Sequence, residues 1–371
     1  MQVKVLQRAT PVHALRTAAF LAIFLCCIAA PGQSQDSSSH HDIRRLLERA
    51  QQGYVQDQME LAMAFHRGVG VAPDPEQAAH WFLKAANMGE PYAQTFVAYL
   101  YLAGRGVPED PVQAFRWFQR AAVENYAPAQ MGMGFLLMNG LGTRQSREDG
   151  IQWITRAARQ NFAPAQLNLA LCYQMGEGVS QNYPEMLAWM TKSARQHYAP
   201  AEFLLAAMYE VGIGVRQSYA QAVRWYRKAA ERGHAGAQNN LGGLYMDGKG
   251  VKQDTQEALK WYRRAADQTD KTGATNLAYI YAKGEGVPRD FPLSYFWARV
   301  AERSSAPGDL PLSPEFEQQV KNRISTDVTQ KAEMQVDDFL RAHSFQHPEW
   351  ALVEITPRHG DLISNIRQAI Q

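Results

Sequence analysis

The residues whose type and spacing most directly suggest chemistry belong to a repeated Gly-x-Gly motif. The stretch Gly176–Val179 reads GEGV, and it returns unchanged at Gly284–Val287. Because glycine lets the backbone approach a ligand closely, such a loop can cradle a phosphate. A phosphate loop is needed once per site, however, and no copy continues with the Lys-Ser/Thr pair of a P-loop. The first glycines instead recur every 36 residues, at Gly68, Gly104, Gly140, Gly176, Gly212, Gly248 and Gly284. A strict period of this length indicates stacked structural units, so we predict a structural role for these glycines.

A search for metal-ligating or catalytic groups gives no candidate. His40 and His41 lie in a Ser-rich stretch, and His343 and His347 are four residues apart with a proline directly after them. No carboxylate or cysteine completes a ligand set around either pair. No Ser/His/Asp or Cys/His grouping is visible. We therefore predict that the chain is not an enzyme and holds no metal and no cofactor.

Two helices position the motif in every repeat. Apolar residues at helical spacing before each first glycine predict a helix A that ends at the glycine. Six residues after the glycine stands a residue that favours a helix N-cap, which predicts the start of a helix B. These caps are Asp74, Asp110, Ser146, Asn182, Ser218, Asp254 and Asp290. Helix B then carries a tryptophan that keeps the same step: Trp81, Trp117, Trp153, Trp189, Trp225, Trp261 and Trp297.

The repeat resembles the Sel1-like repeat, a relative of the tetratricopeptide repeat. The sixth copy matches the pattern nearly throughout, from Ala237 and Leu241 to Trp261 and Ala266, and the resemblance covers about residues 42 to 305. It implies a right-handed α-solenoid that binds proteins or peptides, often in bacterial envelopes or at host contacts. A cysteine-rich branch of this family is linked to β-lactam binding, but this chain lacks its cysteine pairs. We predict an all-α fold, a right-handed α-solenoid of seven 36-residue helix-turn-helix repeats with helical caps at both ends.

The first residues have the features of a secretory signal. Lys4, Arg8 and Arg16 precede the apolar run Ala18–Ala30, which is too short to span a bilayer comfortably. Removal of the whole signal segment would leave 35 basic residues against 36 acidic ones. Cys172 would then be the one remaining cysteine. This balance does not favour a nucleic-acid partner. We predict a periplasmic or secreted protein of a Gram-negative bacterium with no stable membrane span after cleavage. The alternative is an inner-membrane protein anchored by an uncleaved signal.

The predicted boundaries follow from these patterns. Residues 1–32 form the signal peptide, 33–41 a linker, 42–56 an N-terminal capping helix and 57–305 the repeat array. Residues 306–371 form a C-terminal helical cap and tail, in which residues 315 to about 342 are predicted as one or two helices. Terminal units of a solenoid need polar outer faces, which explains the caps.

The candidate binding site uses positions of helix A that the repeat pattern leaves free. Three such positions lie four and then three residues apart, so they share one face of the helix. We predict an adaptable apolar groove on the concave, helix A side, lined by Tyr99, Leu102, Met131, Phe135, Met138, Leu171, Phe203 and Met246. The alternative is that these side chains pack against the neighbouring repeat.

A second stripe is basic and lies in the last turns of helix B. Its members are Lys84, Arg120, Arg156, Lys192, Lys228 and Arg264. Cations at this end of a helix interact favourably with the helix dipole on a solvated face. The alternative is a contact with an anionic envelope polymer.

These features together predict a periplasmic or secreted repeat scaffold that binds a protein or peptide through its concave surface. Two alternatives stay open. One is an envelope enzyme or a β-lactam- or peptidoglycan-binding protein, and the other is a virulence factor that contacts host proteins.

Overall fold

The computed structural model describes residues 39–305 and 312–343, and every regular element in them is an α-helix. The predicted signal peptide, the linker as far as residue 38 and the tail beyond residue 343 lie outside the described residues. The helices are α1 Ser39–Gln51, α2 Val55–Arg67, α3 Pro75–Asn87, α4 Pro91–Ala103, α5 Pro111–Val123, α6 Ala127–Asn139, α7 Arg147–Arg159, α8 Ala163–Met175, α9 Tyr183–Arg195, α10 Ala199–Val211, α11 Tyr219–Glu231, α12 Ala235–Asp247, α13 Thr255–Asp267, α14 Lys271–Lys283, α15 Phe291–Arg303, α16 Pro314–Lys321 and α17 Thr326–His343. The prediction of an all-α fold is therefore confirmed for the described chain.

The described chain divides into two compact units. Unit 1 comprises residues 39–182, and unit 2 comprises residues 183–305 with 312–343. The even-numbered helices α2 to α14 are the helices A of the seven repeats, and the odd-numbered helices α3 to α15 are the helices B. The boundary between the units falls inside the fourth repeat, after its helix A.

The glycine turn ends each helix A as the sequence pattern requires. The first glycine of each turn adopts the left-handed conformation, as at Gly212 with φ 87°. The second glycine is required for a different reason, because it meets the start of the preceding helix B. A Cβ atom on Gly142 would lie 2.0 Å from the carbonyl oxygen of Pro111, which is closer than two non-bonded atoms can approach. The motif is thus filled by backbone contacts, which leaves no room for a phosphate at this glycine.

The predicted caps begin the helices B. The side chains of Asp74 and Asp110 each accept two backbone N–H bonds from the first turn of the following helix. Pro75 and Pro111 follow these caps directly, where the missing N–H costs no hydrogen bond. The same capping bond is formed by Ser146, Ser218, Asp254 and Asp290.

Small residues on helix B allow the next helix A to pack closely. Five of the seven helices B carry a pair of alanines at this position, such as Ala121 and Ala122, and these pairs are fully buried. Successive helices A also pack on each other, α4 with α6 and α6 with α8 in unit 1, and α12 with α14 in unit 2. Within each unit, no two successive helices B pack as closely. Each unit therefore brings its helix A residues together on one surface and spreads its helix B residues over another.

A column of buried glutamines ties the layers together. Gln130 of α6 donates its side-chain N–H to the carbonyl oxygen of Ala122 on the preceding helix B, at 3.2 Å. Its own oxygen accepts a bond of 2.7 Å from Gln160, which follows α7. Gln268 and Gln238 form the same pair in unit 2 at 2.8 Å. In these two repeats the bonds join the helix A to the helix B before it and to the residue that follows the next helix B.

One member of this column is charged. Glu202 takes the glutamine position on α10, and its side chain is fully buried. It accepts a bond of 3.4 Å from Arg232, which occupies the position of Gln160 and Gln268. Burial raises the pKa of the Glu202 carboxyl, although the positive charges of Arg232 and His197 oppose this shift.

Both ends of the described chain carry helices that cover the terminal repeats. Helix α1 takes the place of a helix B, since the carbonyl oxygen of Ala50 accepts the bond from Gln58 at 3.1 Å. Helix α17 packs against α15, and the ring of Phe339 meets that of Trp297 edge-on with centroids 5.5 Å apart. The carboxylate of Glu333 on α17 binds Arg299 at 2.7 Å and Arg303 at 2.5 Å. The C-terminal cap thus contains two helices, α16 and α17.

Candidate protein-binding surface on the helices A

Most of the predicted groove residues belong to the core. Tyr99, Leu102, Met131, Phe135 and Phe203 each expose less than a tenth of their surface. The aromatic rings among them pack inside the repeats, as that of Phe203 does when it stacks on His234 with centroids 4.5 Å apart. The groove prediction is corrected for these five residues, because they have almost no surface left to offer a partner.

The remaining groove residues keep part of their surface. Met138 and Leu171 in unit 1 and Met246 in unit 2 are half-buried. Met246 packs beside the core cluster of the sixth and seventh repeats, which contains Leu277 and Trp297. A half-buried methionine combines a fixed stem with an adaptable exposed end.

The first repeat places a histidine on the same helix face. His66 is half-buried and meets the ring of Phe96 edge-on at 5.1 Å. Burial lowers the pKa of His66 to about 4, and the positive charges of Arg105 and Arg67 add to this effect. His66 is therefore neutral at physiological pH.

In the sixth and seventh repeats the helix A surface is polar. Asn276 on α14 donates a bond of 2.8 Å to the side-chain oxygen of Asn239 on α12. Asn239 donates in turn to Asn240 at 3.2 Å. Asn240 donates to the hydroxyl of Tyr226 at 3.0 Å, and Tyr226 donates to Glu210 at 2.7 Å. We call Asn239, Asn240 and Asn276 the carboxamide row, and all three are half-buried.

The buried end of this network fixes the exposed end. Tyr226 is fully buried, and burial together with the bond to Glu210 holds the pKa of its hydroxyl well above the ordinary value. The hydroxyl therefore stays protonated and keeps its orientation, which orients Asn240. Because a carboxamide both donates and accepts, a fixed row of them can pair with the N–H and C=O groups of a peptide.

Sequence reasoning missed most of this network. It did not single out Tyr226, Asn240 or Asn276. A signal was present, because asparagine follows asparagine at positions 239 and 240 where the second repeat has Thr95 and Phe96.

The predicted anchor tryptophans carry a second regular feature. Trp81, Trp117, Trp261 and Trp297 are buried, and Trp153, Trp189 and Trp225 are half-buried. In the first six repeats the basic residue three positions later lies over the indole ring, at 3.9 to 4.7 Å from its centroid. The basic column is therefore held by cation–π contacts as well as by the end of the helix. Trp297 lacks this partner because Val300 stands in its place, and Arg263 covers the ring instead at 4.5 Å.

Metal-ligating side chains and the one described cysteine were the remaining candidates for chemistry. The described residues include no group of three or more His, Cys, Asp or Glu side chains placed to hold a metal ion. Burial raises the pKa of the Cys172 thiol to about 12, so this cysteine is unreactive at physiological pH. Over the described residues no helix combines the length and the apolar character needed to cross a membrane.

Comparisons with known proteins agree with this architecture. The family model described as Sel1 repeat matches seven times, at residues 55–90, 91–124, 127–162, 163–198, 199–234, 235–270 and 272–303. A solved Sel1 repeat protein from Oxalobacter formigenes shares 30% identity with a TM-score of 0.58, over 87% of this chain and 98% of that one. The antigen c5321 of uropathogenic Escherichia coli, which displays an SLR fold, shares 25% identity with a TM-score of 0.39, over 92% of this chain and 87% of that one. No curated protein matches the chain.

The family match and the first of these structures carry the assignment. They confirm the predicted all-α solenoid of seven helix-turn-helix repeats. Sel1 repeat proteins are scaffolds for protein–protein interaction. With seven matches between residues 55 and 303, this chain belongs to the Sel1 repeat family.

Proposed function

We propose that the chain is a non-enzymatic scaffold that binds a protein or peptide segment through the helix A surface of unit 2. The carboxamide row would pair with the backbone of the bound segment, and Met246 would supply an adaptable apolar contact. The observation that carries this proposal is the hydrogen-bonded row itself, from Asn276 to Asn239 at 2.8 Å and on to Tyr226. In unit 1, Met138 and Leu171 remain candidate contacts.

The row is suited to binding because it is organised before a partner arrives. Each of its amides is oriented by a neighbour, and the chain of bonds ends on the buried Tyr226. A partner that pairs with fixed groups does not have to order them, which lowers the free-energy cost of association. Backbone pairing recognises an extended segment of many sequences, while the apolar flank selects among them.

A photo-crosslinking residue at position 246 tests this surface. We expect a crosslinked product of defined mass when the protein is expressed in its host cell. The product should disappear in the double variant Asn239→Ala, Asn276→Ala, whose urea midpoint should stay near that of the wild type. A crosslinker at Ala188, which is exposed on helix B, is the matched control. The same product from position 188, or a product that survives the double variant, would contradict the proposed site.

We further propose that the N-terminal segment exports the chain to the periplasm or beyond the cell. The support is the sequence pattern of residues 1–32, with basic residues before the apolar run Ala18–Ala30. Mass measurement of the protein recovered from cell fractions tests this proposal. A periplasmic product that lacks the segment is expected. Intact protein in the membrane fraction would support the anchored alternative, and intact protein in the cytosol would refute export.

A further inference from the structure

We propose that the exposed faces of the helices B bind a linear polysaccharide that carries carboxylate groups. Each unit carries one such site, formed by its part of the basic column already described, which we call the basic ridge. In unit 1 it consists of Lys84, Arg120 and Arg156, and in unit 2 of Lys192, Lys228 and Arg264. This inference is independent of the carboxamide row, which lies on helices A.

The charges of the ridge are not paired with carboxylates of the described chain, although the charge of Lys228 contributes to lowering the pKa of the buried Glu202 carboxyl. All six side chains are exposed, and none forms an ion pair with a described residue. Other cations near the same helices are paired, such as Lys260 with Glu257 at 3.0 Å and Arg263 with Asp267 at 2.8 Å. The neighbouring column, one turn earlier on helix B, also contains no acidic residue: His80, Arg116, Gln152, Ala188, Arg224 and Lys260. The ridge therefore offers positive charge that an external anion can use.

Each ridge cation is held in place by the tryptophan three residues before it. The charged group of Lys192 lies 3.9 Å from the ring centroid of Trp189, and that of Arg156 lies 4.4 Å from Trp153. A free Lys or Arg side chain loses rotamer entropy when it binds an anion. Stacking on the ring restricts the side chain beforehand, so less entropy remains to be lost.

The arrangement favours an acidic polysaccharide over other polyanions. The ridge supplies one cation per repeat, which suits a polymer with charges at regular intervals. Exposed Gln119 and Gln152 lie on the same helices as Arg120 and Arg156, where their amides can bind sugar hydroxyls. Arginine pairs with a carboxylate through two parallel hydrogen bonds. Binding of single-stranded nucleic acid would need free aromatic faces for base stacking, but the ridge cations cover these indole faces.

The test measures binding of the full chain to alginate oligosaccharides, with dextran as the uncharged comparison. Wild-type protein should bind alginate but not dextran, and the affinity should fall steeply as salt is added. Each cation near an anionic surface contributes about a fivefold change in affinity. Two triple variants neutralise the ridge, one in each unit, and each should bind at least tenfold more weakly, by the roughly fivefold effect of each cation. They are Lys84→Gln, Arg120→Gln, Arg156→Gln in unit 1 and Lys192→Gln, Lys228→Gln, Arg264→Gln in unit 2.

The controls separate the ridge from total charge and from folding. Arg144, Arg216 and Lys252 are exposed on the turns, and replacing them by glutamine removes the same charge. This control should change the affinity less than about twofold, whereas an equal loss in ridge and control variants would overturn the proposal. The exchange Lys192→Arg, Lys228→Arg, Arg264→Lys keeps charge and stacking, so it should keep the affinity even if neutral variants unfold. Absence of alginate binding by the folded wild type, or tighter binding of single-stranded DNA, would also overturn it.

Discussion

Replacing Glu124 by glutamine should stabilise unit 1 by completing the glutamine column. The side-chain oxygen of Gln94 is buried and accepts no hydrogen bond, and the same is true of Gln58. The corresponding oxygens of Gln130 and Gln238 accept bonds of 2.7 Å and 2.8 Å from glutamines 30 residues later. Gln94 and Gln58 have Glu124 and Met88 at that distance, and neither side chain can donate. The missing donor therefore explains the two unsatisfied oxygens.

The backbone at position 124 is already suited to the donor. Glu124 has φ −76° and ψ 14°, and Gln160 has φ −78° and ψ 13°. A glutamine at position 124 can therefore adopt the geometry of Gln160 without moving the chain. One hydrogen bond to a buried acceptor adds about 1 to 2 kcal/mol to the free energy of unfolding. Removing a negative charge from the end of a helix adds a further ~0.5 kcal/mol.

Urea unfolding followed by tryptophan fluorescence measures this gain. With a slope of about 2 kcal/mol per molar urea, the combined gain of about 1.5 to 2.5 kcal/mol should raise the midpoint by roughly 0.8 to 1.3 M. Glu124→Ala removes the charge without adding a donor, so it should give only the smaller electrostatic part. In the background Gln94→Leu the glutamine should add no more than the alanine does. If both variants stabilise equally in the wild-type background, the reasoning about the missing donor is wrong.

Three further predictions test other parts of the account. The folded state holds the proton of the buried Glu202 more tightly than the unfolded chain does, so the stability of the wild type should fall as the pH rises. In urea titrations, the stability that Glu202→Gln gains over the wild type should therefore be larger at about pH 8 than at about pH 4. His66 has a pKa lowered to about 4, so the stability that depends on its neutral form is complete above about pH 6.5 and is lost as the pH falls towards 4. His66→Phe should remove about 2 kcal/mol of this pH dependence. An unchanged pH profile of the free energy of unfolding would refute the assignment. Gly142→Ala places a Cβ atom 2.0 Å from the Pro111 carbonyl oxygen and should lower the free energy of unfolding by more than about 3 kcal/mol. Gly89→Ala is the control, since Gly89 has φ 92° but open space around it, and by the same assay it should lower this free energy by about 1 kcal/mol.

The regular part of the fold could be predicted because the same residues that begin and end helices recur at the same positions of each repeat. Glycine at a left-handed position and Asp or Ser before a helix act through the nearest few residues. Seven copies in one register then fix the helices and turns. The position of Gly142 against Pro111 follows from the same register, since both residues recur at fixed places in the repeat.

The proposed binding surface was harder to predict because it depends on contacts between repeats. Helical spacing placed Phe135 and Met138 on one face, but packing buries Phe135 and leaves Met138 partly exposed. The carboxamide row joins residues 37 positions apart, from Asn276 to Asn239, and spacing within one helix does not reveal it. The contact of Lys84 with Trp81 lies within one helix turn and could have been predicted.

The most direct test of the central claim compares the binding and stability of two variants. The account holds that the repeated residues maintain the structure, while the carboxamide row on helices A binds the partner. Once the segment captured at position 246 has been synthesised, its affinity can be measured by titration calorimetry alongside each urea midpoint. Asn239→Ala, Asn276→Ala should weaken binding by roughly tenfold or more with an unchanged midpoint, while the neutralised ridge of unit 2 should leave this affinity intact. Full affinity in the asparagine variant, or its loss in the ridge variant alone, would contradict the account.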